Sequence, residues 1–249
     1  MQHLFPTAMN NPSRTLPWIT VVTVVYNDAV NLEATIASIA ALDYPHLEYR
    51  VVDGGSTDGT IDVIKRHEKI VVKAWISEPD NGIYDAMNKG WSASRDDSLI
   101  MFLGAGDCLI SLPTDMAHFH DSDVVFGTVM MSNRRFSASA DWRLKCGNTL
   151  HHQALLVPKK LHPEPPFNTH FRMYADFDLN QRLLKRGVSF VCADDFMASA
   201  LPGGLSSRKD YREMLRVVLN NFGLAWVLTA LFFLPLSRMH RFFTKEARS

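Results

Sequence analysis

Cysteine is scarce in this chain. Its 249 residues include three, Cys108, Cys146 and Cys192, widely separated and without a C-x-x-C pair. That excludes a disulfide framework and a cysteine-built zinc site, and it fits a reducing compartment. A charge imbalance is missing as well: Lys plus Arg and Asp plus Glu number 26 each, so no net field marks nucleic acid as a partner. No G-x-x-x-x-G-K-[ST] loop occurs, and no G-x-G-x-x-G follows the first apolar run, so neither a P-loop nor a dinucleotide-binding unit is supported. The N-terminus lacks the apolar stretch of a secretory signal, and residues 1–17, polar and proline-bearing, read as a flexible tail.

What is present is apolar and periodic. Hydrophobic residues make up 47% of the chain, enough for a substantial core. The run WITVVTVVY (18–26) is β-branched between its terminal aromatics, as suits a strand buried on both faces, and a helical pattern follows through Asn31, Ile36, Ile39 and Leu42. LEYRVVDGG (47–55), VVKAWISE (71–78) and SLIMFLGAGD (98–107) read as three further strands, with helices after Thr60 and within 77–91. Strands alternating with helices predict an α/β fold with a mainly parallel central sheet and flanking helices. In such a sheet the ligand crevice lies outside the C-terminal strand ends.

Those ends are where the polar residues gather. The four strands finish in Tyr26-Asn27-Asp28, in Asp53-Gly54-Gly55-Ser56-Thr57-Asp58, in Glu78-Pro79-Asp80-Asn81-Gly82 and in Gly104-Ala105-Gly106-Asp107. Any one of these is an ordinary turn composition. Four in succession read as the rim of one pocket, in which carboxylates accept hydrogen bonds from a base or ribose or hold a hard divalent cation. In SEPDNGIYDAMNKGW (77–91) a strong turn runs into a helix whose Asp85, Asn88 and Lys89 recur at i, i+3 and i+4, and this polar face reads as a wall of that pocket. Gly90, on the same helix, reads as a packing glycine.

The segments VVTVVYN, VVDGGSTDGT, SEPDNGIYDAMNKG and MFLGAGD, in that order, resemble the nucleotide-sugar-binding half of family 2 glycosyltransferases. These are inverting enzymes of GT-A fold, with a Rossmann-like nucleotide-binding half and an acceptor-binding half. EPDNGIYDAMNKG is especially similar to the branch that builds bacterial exopolysaccharide, colanic-acid and O-antigen units. The resemblance covers residues 18–206. It implies that Thr23, Tyr26 and Asn27 line the nucleoside pocket and that Asp53 accepts a hydrogen bond from the base, usually uracil. It further implies that Asp85, Asn88, Lys89 and Gly106 belong to the nucleotide-sugar site. Asp107 stands at the last acid of the family's D-x-D-like motif, which binds Mg²⁺ or Mn²⁺ against the donor diphosphate. Gly104 and Gly106 stand where many relatives carry acids, which implies weaker metal binding.

In the second half, MYADFDLNQRLLKRG (173–187) reads as a helix with Leu179, Leu183 and Leu184 as its apolar stripe and Gly187 as its stop. By the resemblance Asp176 is the catalytic base, with Ala175 in place of the family's glutamate, whereas Asp178 and Arg182 have the spacing of a helix ion pair. His152 aligns with a histidine-bearing segment of similar transferases and lines the acceptor or diphosphate site, or else is a buried structural histidine. Trp142 and Tyr174 are stacking candidates for an acceptor sugar or core aromatics. PGGLSSRKDY (202–211) has the composition of a lid over a diphosphate, with Arg208 as its cation, or of a plain surface loop.

Residues 207–249 read as a C-terminal helical extension. Its apolar run, 222–236, is shorter than the roughly 20 residues a spanning helix needs, and Pro235 interrupts it. Cations flank it, Arg212 and Arg216 on one side and Arg238, Arg241, Lys245 and Arg248 on the other. That pattern fits a helix lying on an anionic membrane, and a core helix is the alternative. The combined expectation is a metal-dependent transferase on the cytoplasmic face of the inner membrane. Its donor is a nucleotide-diphosphate sugar and its acceptor a polyprenyl-diphosphate-linked saccharide. A catalytically silent nucleotide-sugar-binding scaffold is the alternative from another class. A nucleotidyltransferase is less supported, because YNDAVNLEAT occupies the place of its glycine-rich loop.

Overall fold

Strand β1 (Trp18–Val25) is apolar because neighbours cover both its faces and both its edges. It lies between β2 (Leu47–Asp53) and β4 (Ser98–Gly104), parallel to each, with Val25 beside Asp53 and Val24 beside Gly104. A computed structural model describes residues 15–119, 121–132, 134–136, 138–203 and 210–233. Helices α1 (Ala29–Ala40), α2 (Thr60–His67) and α3 (Ile83–Ala93) alternate with these strands and with β3 (Ala74–Ser77), which extends the parallel set beyond β2. Strand β3 is shorter than the expected 71–78. The amides of Val71 and Val72 instead donate to the carbonyl of His67, closing α2 with a turn.

The rest of the chain adds β5 (Cys108–Ser111), β6 (Asp123–Met131), β7 (Arg134–Phe136), β8 (Leu155–Pro158), α4 (Ala175–Lys185), β9 (Ser189–Ala200) and α5 (Tyr211–Phe222). One nine-stranded sheet results, in the order β3-β2-β1-β4-β8-β6-β9-β5, with β7 on β6. Strand β8 is antiparallel to both β4 and β6, so direction reverses there, while β6 and β9 run parallel. The β6–β9 register shifts between Phe126 and Thr128. A Cβ on Gly127, between them, would stand 2.2 Å from the Phe196 carbonyl oxygen, so only glycine fits that approach.

Each sheet face has its own core. Val21, Val25, Leu32, Ile36 and Ile64 pack beneath α1 and α2, while Val22, Val24, Met87, Phe102, Phe167, Phe177 and Leu183 pack beneath α3 and α4. Gly90 lets α3 lie close on the sheet, because a Cβ there would come 2.3 Å from Val22 Cγ1. Helix α5 buries Met214, Val217 and Val218 in the core it shares with α4, so the expected boundary at residue 206 does not divide the packing. After Gly223 the chain is helical again over 224–233. Ala230 is buried there, while Leu224, Leu228, Leu231 and Phe232 are exposed. No helix among the described residues is long and apolar enough to cross a membrane.

Residues 1–14 of the expected tail lie outside the described residues. The remainder is tied down: Tyr44 Oη donates to the Pro17 carbonyl, and His46 Nδ1 lies 2.8 Å from that of Leu16.

Candidate active site at the strand ends

Parallel pairing brings the ends of β1, β2 and β4 to one side, where their turns are cross-linked by short polar side chains. Asp53 is fully buried at the end of β2. Its Oδ2 accepts the amides of Gly55 and Ser56 and the hydroxyl of Ser77, while its buried Oδ1 has no partner. Asn27, in the left-handed region at φ +48°, accepts the Thr57 amide at 2.8 Å and donates its own amide to Ser56 Oγ. Asp107 closes the turn after β4: Oδ2 accepts Gly104 N at 2.9 Å and Gln153 Nε2 at 3.1 Å, and Oδ1 accepts Leu201 N at 2.9 Å.

Beside these turns lies a cavity of about 590 Å³. The β1 end contributes Tyr26 and Asp28 to its wall, and the loop before α3 contributes Asp80. Ile83, Tyr84 and Met87 come from α3, and Asp107 from the β4 turn. The other wall is His152, Gln153, Arg172, Asp176, Leu201 and Pro202. Halves far apart in sequence thus meet across it.

Asp176 is the second residue of α4 and is buried. Its Oδ1 accepts the Phe177 amide at 2.8 Å and the Tyr84 hydroxyl at 3.1 Å; its Oδ2 accepts Asn148 Nδ2 at 3.2 Å and lies 3.5 Å from His152 Nδ1. Burial pushes the Asp176 pKa up, but the hydrogen bond and charge of His152 and the Phe177 amide outweigh it and hold the group below the usual carboxylate range. For His152, burial favours the neutral ring, yet the hydrogen bond and charge of Asp176, with Asp107 behind it, raise its pKa above the ordinary histidine value. His152 Nδ1 and Asp176 Oδ2, 3.5 Å apart, thus each favour the charged form of the other. Burial and the adjacent Asp176 charge keep the Tyr84 phenol well above its usual pKa, so it acts as a neutral donor. His151, next in sequence, is lowered to about 4 by burial, with its ring 4.2 Å edge-on from Phe136.

Tyr26, Asp107, His152 and Asp176, all singled out from the sequence, share the cavity wall. Several others do not. Thr23 is fully buried within β1 and is not a lining residue, because its side chain lies on the strand face toward α1 and Tyr49. Asn27 and Asp53 shape the turn beside the cavity. Gly106 also sits off the wall; its φ of +91° and a Cβ position 2.6 Å from Leu201 Cδ2 and 3.2 Å from Asn31 Cβ would strain any side chain there.

The polar face of α3 is not the pocket wall. Asn88 brackets Phe167, donating to its carbonyl at 2.9 Å and accepting its amide at 3.0 Å. Lys89 bonds Glu78 and the Pro79 carbonyl, and Asp85 accepts the Asn81 amide. That face staples loops, whereas the cavity is met by Ile83, Tyr84 and Met87 of the same helix. Trp142 packs edge-on against Phe233 and Tyr174 against Phe177, so neither lines the cavity. Asp178 and Arg182 make the expected ion pair at 2.8 Å. Arg208 lies outside the described residues, though Leu201, Pro202 and Gly203, which lead toward it, line the cavity.

Asp28 and Asp80, read from the sequence as part of the pocket rim, line the cavity, and Tyr84, Gln153 and Arg172 are wall residues that the sequence reading does not assign. Tyr84 sits inside the 77–91 stretch and Arg172 four residues before Asp176. Their roles depend on contacts with segments about 90 and 40 residues away in sequence, which no local spacing encodes.

For a divalent cation the fit is partial. Among the described residues no three His, Cys, Asp or Glu side chains group as a metal cage. Asp107 spends three acceptor positions on N–H donors and keeps lone-pair capacity at Oδ1. Such a site suits a hard cation that takes most of its ligands from phosphate oxygens and water, as Mg²⁺ does.

The family model described as "Glycosyl transferase family 2" matches residues 20–134. A PGL/p-HBAD biosynthesis glycosyltransferase of Mycobacterium bovis is 32% identical over 223 residues, covering 80% of this chain and 83% of that protein. Among solved structures, TarS of S. aureus is similar at a TM-score of 0.64 and 16% identity, over 82% of this chain but only 40% of the TarS chain. A shorter TarS piece, residues 1–349, is known in complex with UDP-GlcNAc and is similar at a TM-score of 0.63 and 16% identity, over 82% of this chain and 67% of that one. The mannosyltransferase PcManGT of Pyrobaculum calidifontis, in complex with GDP-Man and Mn²⁺, is similar at a TM-score of 0.61 and 16% identity, over 94% of this chain and 81% of that one.

Proposed function

This chain belongs to glycosyl transferase family 2 and has the GT-A fold, and from that premise we propose that it transfers a sugar, with inversion, from a nucleotide-diphosphate sugar to a hydroxyl of a lipid-linked saccharide. The observation that carries the reading is Asp176: a carboxylate on the cavity wall, held ionised by His152 and oriented by Tyr84 and Asn148. The acceptor oxygen attacks the anomeric carbon as the bond from that carbon to the diphosphate oxygen breaks. The leaving nucleoside diphosphate keeps the bond's electron pair, and the hydroxyl proton passes to Asp176. The neighbouring His152 favours the unprotonated form of Asp176 between turnovers. Asp53 Oδ1 has no partner but is buried at the turn beside the cavity, so a donor of the base would reach it only when that turn opens.

Asp107 is the residue that would hold Mg²⁺ or Mn²⁺ together with the donor. When bound, such a cation neutralises charge on the diphosphate. In support of a nucleotide-sugar donor, the similar TarS and PcManGT structures contain UDP-GlcNAc and GDP-Man, and the latter also Mn²⁺. UDP is the donor nucleotide we favour.

The exposed Leu224, Leu228, Leu231 and Phe232 follow helical spacing, and Lys145 Nζ lies 4.7 Å over the ring of Trp226 on the same segment, which supports peripheral attachment to an anionic membrane where a polyprenyl-linked acceptor would be met. We place the enzyme at the cytoplasmic face. The test uses anionic vesicles carrying a polyprenyl-diphosphate saccharide, offered UDP- and GDP-sugars with Mn²⁺ or with EDTA. The expected outcome is co-flotation of protein and vesicles and an inverted anomer in the product by NMR. Donor that stays intact with every acceptor would contradict the transferase assignment, and protein that stays at the bottom of the gradient would contradict the membrane assignment.

A further inference from the structure

The cavity wall carries four carboxylates, those of Asp28, Asp80, Asp107 and Asp176, and among the described residues one guanidinium, that of Arg172. A diphosphate entering such a wall meets a repulsive field unless cations offset it. The Arg172 side chain is exposed to the cavity and has no hydrogen-bond or ion-pair partner among the described residues, in contrast to Lys89, Arg143 and Arg182, which are engaged. Its backbone is held firmly. Glu213, in the first turn of α5, accepts the amide of Arg172 at 3.1 Å on one oxygen, and those of Met173 at 2.7 Å and Tyr174 at 2.9 Å on the other. Three amides on one carboxylate fix the approach to α4, and Met173 is pinned again through its carbonyl by the Tyr84 hydroxyl. A free cation on a clamped backbone is what anion recognition calls for, since the geometry is set before the ligand arrives.

We propose that Arg172 binds the diphosphate of the donor and that Glu213 is the positioning residue that aims it. The inference rests on the glycosyltransferase reading and deepens it by assigning the anion-binding side chain of that site. Arg172 faces the diphosphate from the α4 side while Asp107 faces it from the β4 turn. The leaving group therefore sits between a cation borne by the second half of the chain and an acid borne by the first.

The experiment compares UDP with uridine by calorimetry on the full chain, with Mn²⁺ and with EDTA, for wild type, Arg172→Ala, Arg172→Lys and Glu213→Gln. Arg172→Ala should weaken UDP about tenfold or more, the scale of hydrogen bonds to a charged group, and leave uridine unchanged. Arg172→Lys should recover part of that loss. Glu213→Gln should fall between wild type and Arg172→Ala for UDP, again without effect on uridine. Equal losses for UDP and uridine, or no loss for UDP in Arg172→Ala, would overturn the proposal while leaving the donor site standing. Wild-type protein that binds neither UDP nor GDP would overturn the glycosyltransferase reading and this inference with it.

Discussion

The acids at the strand ends and the acid at the start of α4 are built differently. Asp53 and Asp107 spend their oxygens chiefly on backbone amides: Asp53 on Gly55 and Ser56 of its own turn, Asp107 on Gly104 and Leu201. Asp176 takes one amide and three side chains, Tyr84, Asn148 and His152, drawn from separate segments. The strand-end acids are therefore architects of the loops that receive a ligand. The α4 acid is a chemically tuned group, whose charge is favoured by the neighbouring His152 rather than by a turn. Substituting the first kind should alter shape and binding together; substituting the second should alter chemistry alone.

The largest expected effect sharpens that contrast. Asp176→Asn keeps size and one acceptor oxygen but cannot take a proton, so kcat should fall by about 10²–10⁴-fold, with donor affinity by calorimetry near wild type. A variant whose donor affinity falls as steeply as kcat would erase the distinction.

Next in size is a purely structural change in the first half. Gly90→Ala places a methyl 2.3 Å from Val22 Cγ1, where α3 meets β1. Overpacking of this kind costs about 1–3 kcal/mol, to be read as a lower urea midpoint with an unchanged slope, while Asp176 keeps its partners and kcat its value. A loss of kcat without loss of stability would show that α3 acts on the chemistry more directly than its packing suggests.

The smallest effect concerns pH. His152 holds Asp176 below its ordinary pKa, so His152→Gln should raise the Asp176 pKa and move the acid limb of kcat/KM to higher pH. The sign for stability follows from the same pair. Asp176, depressed in the folded state, contributes stability above its unfolded pKa that is lost as pH falls through the folded one. His152, raised in the folded state, contributes stability below its unfolded pKa that is lost as pH rises through its elevated folded one. The variant should therefore lose its stability difference from wild type at both extremes. An unmoved acid limb would mean that Asp176 is tuned by Tyr84 and Asn148 instead.

How much of this was legible in the sequence divides along the same line. The β-branched run of β1 and the turn residues behind β1, β2 and β4 act over a few residues, so pattern alone locates those elements and the side on which their ends meet. The polar face of α3 misled because i, i+3, i+4 spacing tells which residues share a face, not what the face meets. Asn88 meets Phe167, 79 residues away, and Lys89 meets the loop in front of its own helix. Thr23 misled for a simpler reason: in a strand buried on both faces, a polar residue inside the apolar run points into the core as readily as its neighbours do. Tyr84, Gln153 and Arg172 went unassigned because their significance arises only when α3, β8 and α4 are brought to one cavity. The sheet order does that by placing β8 beside β4.

The most direct test of the central claim, that one cavity joins a donor-holding strand-end half to a proton-accepting α4 half, is a crystal structure of the protein with UDP and Mn²⁺. The account predicts the base near Asp53, the diphosphate between Asp107 and Arg172, and the Asp176 carboxylate free of direct contact with the nucleotide. A nucleotide bound outside this cavity, or one whose phosphates displace His152 from Asp176, would contradict it.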